Sequence, residues 1–370
     1  MSDLRDELER ESQRFRLRPD ALEAFHRRRR RRERGQRLVA GTLALVLAGA
    51  ATWLAVSALR NIGRQERPAR GPHVLRTVAV GEQPGPIAVG EGAVWVGDFR
   101  TPTLTRVDPA TGAIAATIRL GDDVGIAQDI DVVEGLVWVK TAFVQAPREI
   151  PPTVVAIDPS TNQPVFRHRL TRAEHSAIAV GEGSIWSANE QTNVIFRRDA
   201  RTGRVRNEVA GPPLPIDLAI GDGSVWVLTQ GTRATVPPLP GSVVRIDPGS
   251  GRILETFQVG TGPRAITFGA GGVWVVNTGD STVSRIDPQA NAMAATIAVD
   301  GSPVAIAADE DAVWVATLEG RIFRMNPATN AFTGQRRLEA APGGIAVDPR
   351  GGTVWTTLPS QKAIVQVGDT

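Results

Sequence analysis

The chain lacks cysteine and tyrosine, and two residues alone among its 42 basic side chains, Lys140 and Lys362, are lysine. Without cysteine there is no disulfide framework, thiol nucleophile or thiolate metal site. Without tyrosine there is no phenolic proton donor. Histidine is scarce: beyond residue 70 there are His73, His168 and His175 and no others. An excess of positive charge is missing from most of the length. Residues 1–70 hold 17 Arg against 9 Asp and Glu, a net of +8, whereas residues 71–370 carry a net of −5. The larger part therefore has no basic stripe, and no nucleic-acid partner is expected.

One long hydrophobic run is present. "LVAGTLALVLAGAATWLAVSAL", residues 38–59, has 22 residues and no charge, enough to cross a bilayer core of about 30 Å as a helix. Eight arginines stand between Arg27 and Arg37, and Arg60, Arg64, Arg67 and Arg70 follow the run. The denser cluster belongs on the cytoplasmic side. The expectation is a basic cytoplasmic tail (1–37), a single transmembrane helix (38–59), a linker (60–72) and an extracytoplasmic domain (73–370) on the cell membrane. A signal peptide cut near "AGA" (48–50) fits less well, because both the head and the apolar run are too long. A buried soluble helix fits poorly beside a polyarginine run. The tail reads as a solvated segment with Arg27–Arg37 against anionic lipid, or as a docking helix for a cytoplasmic partner.

Beyond residue 72 the chain repeats. Seven tryptophans, Trp95, Trp138, Trp186, Trp226, Trp274, Trp314 and Trp355, recur at intervals of 43, 48, 40, 48, 40 and 41. A period near 40 in a strand-rich sequence indicates propeller blades. Strand A is an apolar run such as "PIAVG". An "EG" or "DG" turn, tolerant of positive φ, leads into strand B with the Trp. Strand C ends in "RVDPATG", "AIDPSTN", "RIDPGSG", "RIDPQAN" or "RMNPATN", where Asp or Asn caps the turn, Pro fixes φ, and Gly or Asn closes it. Strand D follows, as in "AIAATIRL". The last unit stops one strand short, and "HVLRTVAV" (73–80) precedes the first. Pairing that run with the closing "AIVQVG" completes a seventh blade and removes the open edges. The fold class expected is all-β, a seven-bladed β-propeller behind an N-terminal transmembrane helix.

Units such as "GPIAVGEGAVWVGDFRTPTLTRVDPATGAIAATI" and "GPRAITFGAGGVWVVNTGDSTVSRIDPQANAMAATI" resemble the bacterial YVTN/YncE-type propeller repeat and the related virginiamycin B lyase-like propellers. The resemblance implies the fold across residues 73–370. It also implies a site on the funnel face, where the D–A and B–C loops meet.

Two positions in each unit reach that face. Three residues after each Trp stand Asp98, Thr141, Asn189, Thr229, Asn277, Thr317 and Leu358, either a ring of ligand contacts or caps for neighbouring loops. At the start of strand A, His175 replaces the recurring Pro84, Pro215, Pro263 and Pro303, and Gln128, Asp129, Ser176, Asp217 and Arg264 lie just after. Lys140 and Glu190 add charge near B-strand ends. The candidate ligand-binding residues are therefore Asp98, Asp129, Lys140, His175, Asn189, Asp217, Arg264 and Asn277, with no catalytic or metal set among them. The tryptophans, all at one repeat position, are expected in blade-to-blade packing. Two Pro-rich B–C loops, "TAFVQAPREIPPT" and "TQGTRATVPPLPGS", are expected to wall the funnel.

These features point to a membrane-tethered module that binds or senses an extracytoplasmic ligand or protein, with no cofactor. The alternative is a lyase-like or lactonase-like enzyme. The resemblance implies that such lyases open a macrocyclic lactone by elimination with Mg²⁺, using His and Glu on late blades. Blades five to seven here contain no histidine, and His175, with Glu174 and Glu190 nearby in sequence, is the remaining candidate.

Overall fold

A computed structural model describes residues 71–144, 149–171, 174, 177–231 and 239–368. The basic tail, the apolar run 38–59, nearly all of the linker and His175 lie outside the described residues. Among the described residues no helix is long and apolar enough to cross a membrane.

The strands form seven four-stranded antiparallel sheets. Blade one runs in order through Pro84–Gly90, Ala93–Asp98, Thr103–Val107 and Ile114–Arg119. Its local chemistry is what the turns demand. Glu91 and Gly92 both take positive φ, 48° and 74°, giving the tight A–B hairpin. Asp108 Oδ1 accepts the N–H groups of Ala110 and Thr111 at 2.7 and 2.9 Å, and Gly112 closes the C–D turn at φ 76°.

Blade seven alone is assembled from both ends of the domain. Its order is His73–Ala79, Ala363–Gly368, Thr353–Leu358, Ile345–Val347. The register runs antiparallel from His73 against Gly368 to Ala79 against Ala363, so the expected pairing of "HVLRTVAV" with "AIVQVG" is present. Among the described residues 28 strands lie between residues 73 and 368, and this stretch carries the ring's core.

Each blade-to-blade seam has its own apolar cluster, and each cluster is built around one marker tryptophan. Trp274 packs with Ile306, Val313 and Val315 of blade six. Trp355 packs with Ile87, Val94 and Val96 of blade one. All seven are at most 2% exposed, which commits them to packing. Glycine at the end of strand A lets neighbours approach: a Cβ on Gly221 would lie 2.1 Å from the Phe268 ring of the next blade.

A second link crosses most seams. Arg106, Arg197, Arg245 and Arg285 stand over Trp95, Trp186, Trp226 and Trp274, each guanidinium 4.9–5.5 Å from the ring centre. Each then donates to a proline carbonyl in the next blade's C–D turn: Pro159, Pro248, Pro288 and Pro327 in turn. Cation–π contact and a charge-assisted hydrogen bond thus act through one side chain. The seam between blades two and three departs from the pattern. Ala156 faces Trp138 there, and the facing turn, "RRDARTG", has no proline. Three of the domain's buried charges, Lys140, Glu174 and Arg198, gather at that same seam.

Candidate functional site

The polar residues that end the B strands are buried and serve their own loops. Asp98 Oδ1 accepts the N–H groups of Arg100 and Thr101 at 2.7 and 3.0 Å, and its Oδ2 those of Glu82 and Gln83 at 2.8 and 2.9 Å. Burial would raise the Asp98 carboxyl, but these four backbone donors outweigh it and hold it below its ordinary value. Asn189 Oδ1 accepts from Gln191 and Thr192, both at 2.9 Å. Asn277 Nδ2 donates to Thr282 Oγ1 at 3.0 Å and Ser284 Oγ at 2.9 Å. These three cap loops around the funnel, each in its own blade, and do not converge.

Asp129, Lys140 and Asp217 belong to a different arrangement. Asp129 and Lys140 are register partners, near the start of Ala127–Val133 and the end of Leu136–Thr141. Lys140 is fully buried, and its Nζ donates to Gln128 Oε1 at 2.6 Å. Burial pulls its pKa down to about 8, against the opposing charges of Asp129 and Glu174. Asp129 and Asp217 hold the same register position, one residue before Ile130 and Leu218, where other blades have Pro86, Ala177, Ala265 and Ala305. They do the same work. Asp129 accepts from Ile178 N–H of blade three, and Asp217 from Ile266 N–H of blade five, both at 3.0 Å.

Asp131 and Glu134 extend the stitching of blade two to blade three, accepting from Val180 and Gly183 N–H at 3.0 Å each. Burial raises all three half-buried aspartates. Asp129 is raised against the pull of Ile178 N–H and Lys140. Burial and the Asp129 charge push Asp131 to about 6 and Asp217 to about 7. Arg264, at the start of Pro263–Gly269, is exposed.

Behind Lys140 lies a buried pair. Glu174 Oε1 accepts Arg198 Nη2 at 2.7 Å, and its Oε2 accepts Ser187 Oγ at 2.5 Å. Arg198 also lies 3.3 Å from His168 Nε2. Burial would raise Glu174, yet Ser187 and Arg198 hold it below its ordinary value. Burial and the Arg198 charge lower His168. The result is a polar seam through blades two and three, capped at the inner strands by two raised carboxyls, Asp129 and Asp131, with a third, Asp217, at the matching position of blade four. Its protons and charges suit a ligand with both donors and acceptors.

Mg²⁺, implied by the lyase resemblance, does not fit this donor set. Asp129, Asp131 and Asp217 each spend an oxygen on a backbone N–H of the next blade, and among the described residues no group of three His, Asp or Glu is placed to hold a metal.

The raised aspartates predict a pH dependence. Asp131 and Asp217 titrate at about 6 and about 7 in the folded ring, and near 3.9 when unfolded. The folded state therefore holds their protons more tightly. Their contribution to stability is whole below about pH 4 and is lost as pH rises through 6 and 7. The melting temperature should fall between pH 5 and 8, and Asp131→Asn with Asp217→Asn should flatten that slope. An unchanged slope in the double variant would refute the assignment.

No family model matches the sequence, and no curated protein does. The YVTN/YncE resemblance thus rests on the repeat motifs themselves. Many solved chains share the fold. One, Kuenenia stuttgartiensis hydrazine synthase, superposes with a TM-score of 0.66 at 13% identity, covering 80% of this chain and 99% of that one. At that identity the likeness is one of fold: the described residues form an all-β, seven-bladed propeller similar in architecture to that protein.

Proposed function

We propose that the propeller is a binding or sensor module, held on the outer side of a membrane by residues 38–59, with its funnel face as the recognition surface for a polar ligand or protein loop. The observation that carries this is convergence. Gln128, Asp129, Asp131 and Lys140 of blade two, Glu174 beside it and Asp217 of blade four all break the repeat's own pattern. They are coupled by charge or hydrogen bond. Perturbed titration of grouped charges is a mark of functional sites. Each described group also has a structural partner, which suits recognition by a preformed surface. The positive-inside asymmetry around 38–59 supports the orientation.

Elimination on a cyclic lactone is the second reading. Asp217 near 7 and Lys140 near 8 favour it, since both lie in the range suited to general acid–base work.

The test is a thermal-shift screen of residues 70–370 against polar small molecules and peptides, with a turnover arm using streptogramin B and simple lactones with Mg²⁺. A hit should bind Arg264→Ala at least about tenfold more weakly, a loss of about 1.4 kcal/mol, with the unliganded melting temperature unchanged. Turnover abolished by Lys140→Met or His175→Ala would replace binding with the enzyme reading. Digestion of the propeller by protease added to intact cells tests the orientation, and protection of the propeller would defeat it.

A further inference from the structure

On the outer side of blade six, beneath the loop that carries Asp300, a cavity of about 530 Å³ is lined by Pro72, His73, Asp300, Arg321, Arg336 and Arg337 among others. It lies where the chain enters the ring. The arriving segment rests on blade six's outer strand, Ala331–Arg337: a Cβ on Gly334 would sit 2.4 Å from Pro72 Cδ. Three arginines therefore face a groove whose other wall is the first described stretch of the chain.

The charge here is poorly balanced. Arg321 and Arg337 are direct register partners on neighbouring strands, and like charges placed opposite one another are destabilising. Asp300 pairs with Arg321 and neutralises one of them. Arg336 and Arg337 are exposed, and His73 adds a further nitrogen donor. Guanidinium forks match the oxygens of a phosphate. The sequence supplies the source of that phosphate. Residue 71 follows closely on the apolar run 38–59, through a linker that itself contains Arg60, Arg64, Arg67 and Arg70. Arginines close to an anionic membrane surface are each attracted to it, and on the outer side this requires anionic lipid in the facing leaflet.

We infer that the groove formed by Arg321, Arg336, Arg337 and His73 binds the phosphate headgroup of an anionic phospholipid, so that the ring rests with blade six against the membrane. The choice of lipid over free phosphate rests on the anchored reading of residues 38–59. The inner-strand groups around Lys140 play no part in it.

The test uses the ring without its apolar run, residues 70–370, which holds the 28 strands of the described residues. Co-sedimentation is measured with vesicles of phosphatidylcholine alone and mixed with phosphatidylglycerol. Binding is expected to the mixed vesicles only and to weaken with salt. Arg336→Glu with Arg337→Glu should reduce it by about tenfold or more. Should the reversed pair misfold by circular dichroism, Arg336→Gln with Arg337→Gln should still cut binding severalfold. Equal binding by either folded variant overturns the inference. So does binding of inorganic phosphate without binding of vesicles, which would make the groove a site for a soluble anion. Because the fragment lacks residues 38–59, failure here leaves the anchor and the funnel to their own tests.

Discussion

A chain lacking residues 73–80 should lose most of its folding stability. These residues close the ring by filling the outer position of a blade whose other three strands come from the far end of the domain. Removing them exposes the full edge of Ala363–Gly368, and an unpaired edge strand is a template for aggregation. It also removes Val78 and Val80 from the cluster that holds Trp355 against Ile87, Val94 and Val96 of blade one. The seam between the first and last blades keeps Trp355 and Ile364 but loses the two valines that back them, and that seam is what closes the ring. A domain stable by roughly 5–15 kcal/mol has little reserve against such a loss. Urea unfolding of residues 70–370 should be a single cooperative transition. The chain starting at residue 81 should unfold at much lower urea with a broadened transition. Excess synthetic peptide covering residues 73–80 should restore part of the midpoint by mass action. A truncated ring within about 1 kcal/mol of the parent would show that the closure is dispensable.

That closure is legible in the sequence because its signals are local. The Trp of strand B, the Glu-Gly turn and the Asp-Pro turn each act over a few residues, so their recurrence marks every blade and exposes the missing strand. The arginine clamp is less legible. The Arg before "VDP" or "IDP" recurs visibly, but its partner carbonyl belongs to the next blade, and no local pattern records that contact. The site divides in the same way. Asp98, Asn189 and Asn277 have the chemistry of ligand contacts and the position of ligand contacts, but accepting a backbone N–H calls for the same oxygen as accepting a ligand's. Asp129, Lys140 and Asp217 stand out because they break the repeat. By that criterion Asp131, Ser187 and Arg198 also stand out, but they lie within the blades and not at the loop-facing positions. Ser187 occupies the register position of Val96, Val139, Val227 and Val275. Arg198 occupies that of Val107, Ile157, Ile246 and Ile286. A polar residue where most other blades bury an apolar one is a strong signal, and it lies in the blade walls; at the Ser187 position blade seven alone shares the departure, with Thr356.

Those wall positions carry the second large prediction. Glu174→Ala should destabilise the ring by about 3–5 kcal/mol, because it leaves the Arg198 guanidinium buried without its counter-charge. Arg198 is 5% exposed and Glu174 fully buried, so water cannot substitute. The pair is not thereby a net source of stability. Desolvating two charges costs about as much as their attraction returns, and well-packed apolar replacements are often neutral or stabilising by about 1–4 kcal/mol. Restoring the repeat's own residues with Ser187→Val and Arg198→Ile, together with Glu174→Leu, should therefore bring the urea midpoint back to the parent's or above it. Failure of the triple variant to recover would mean that the network holds the seam itself. Recovery would separate stability from purpose. Blade three would then keep an expensive ion pair in a wall that an aliphatic pair fills as well, and the reason must lie in what the pair touches. Glu174 also acts on Lys140, whose ammonium faces Gln128 and Asp129 at the inner strands. In the stable triple variant the Lys140 pKa should fall below about 8, since burial would act on it with one carboxylate fewer. A pH titration of Lys140 by ¹⁵N NMR, or of ligand binding once a hit is known, reads that shift directly. An unmoved Lys140 in a fully folded triple variant would confine the Glu174–Arg198 pair to the wall and remove it from the recognition site.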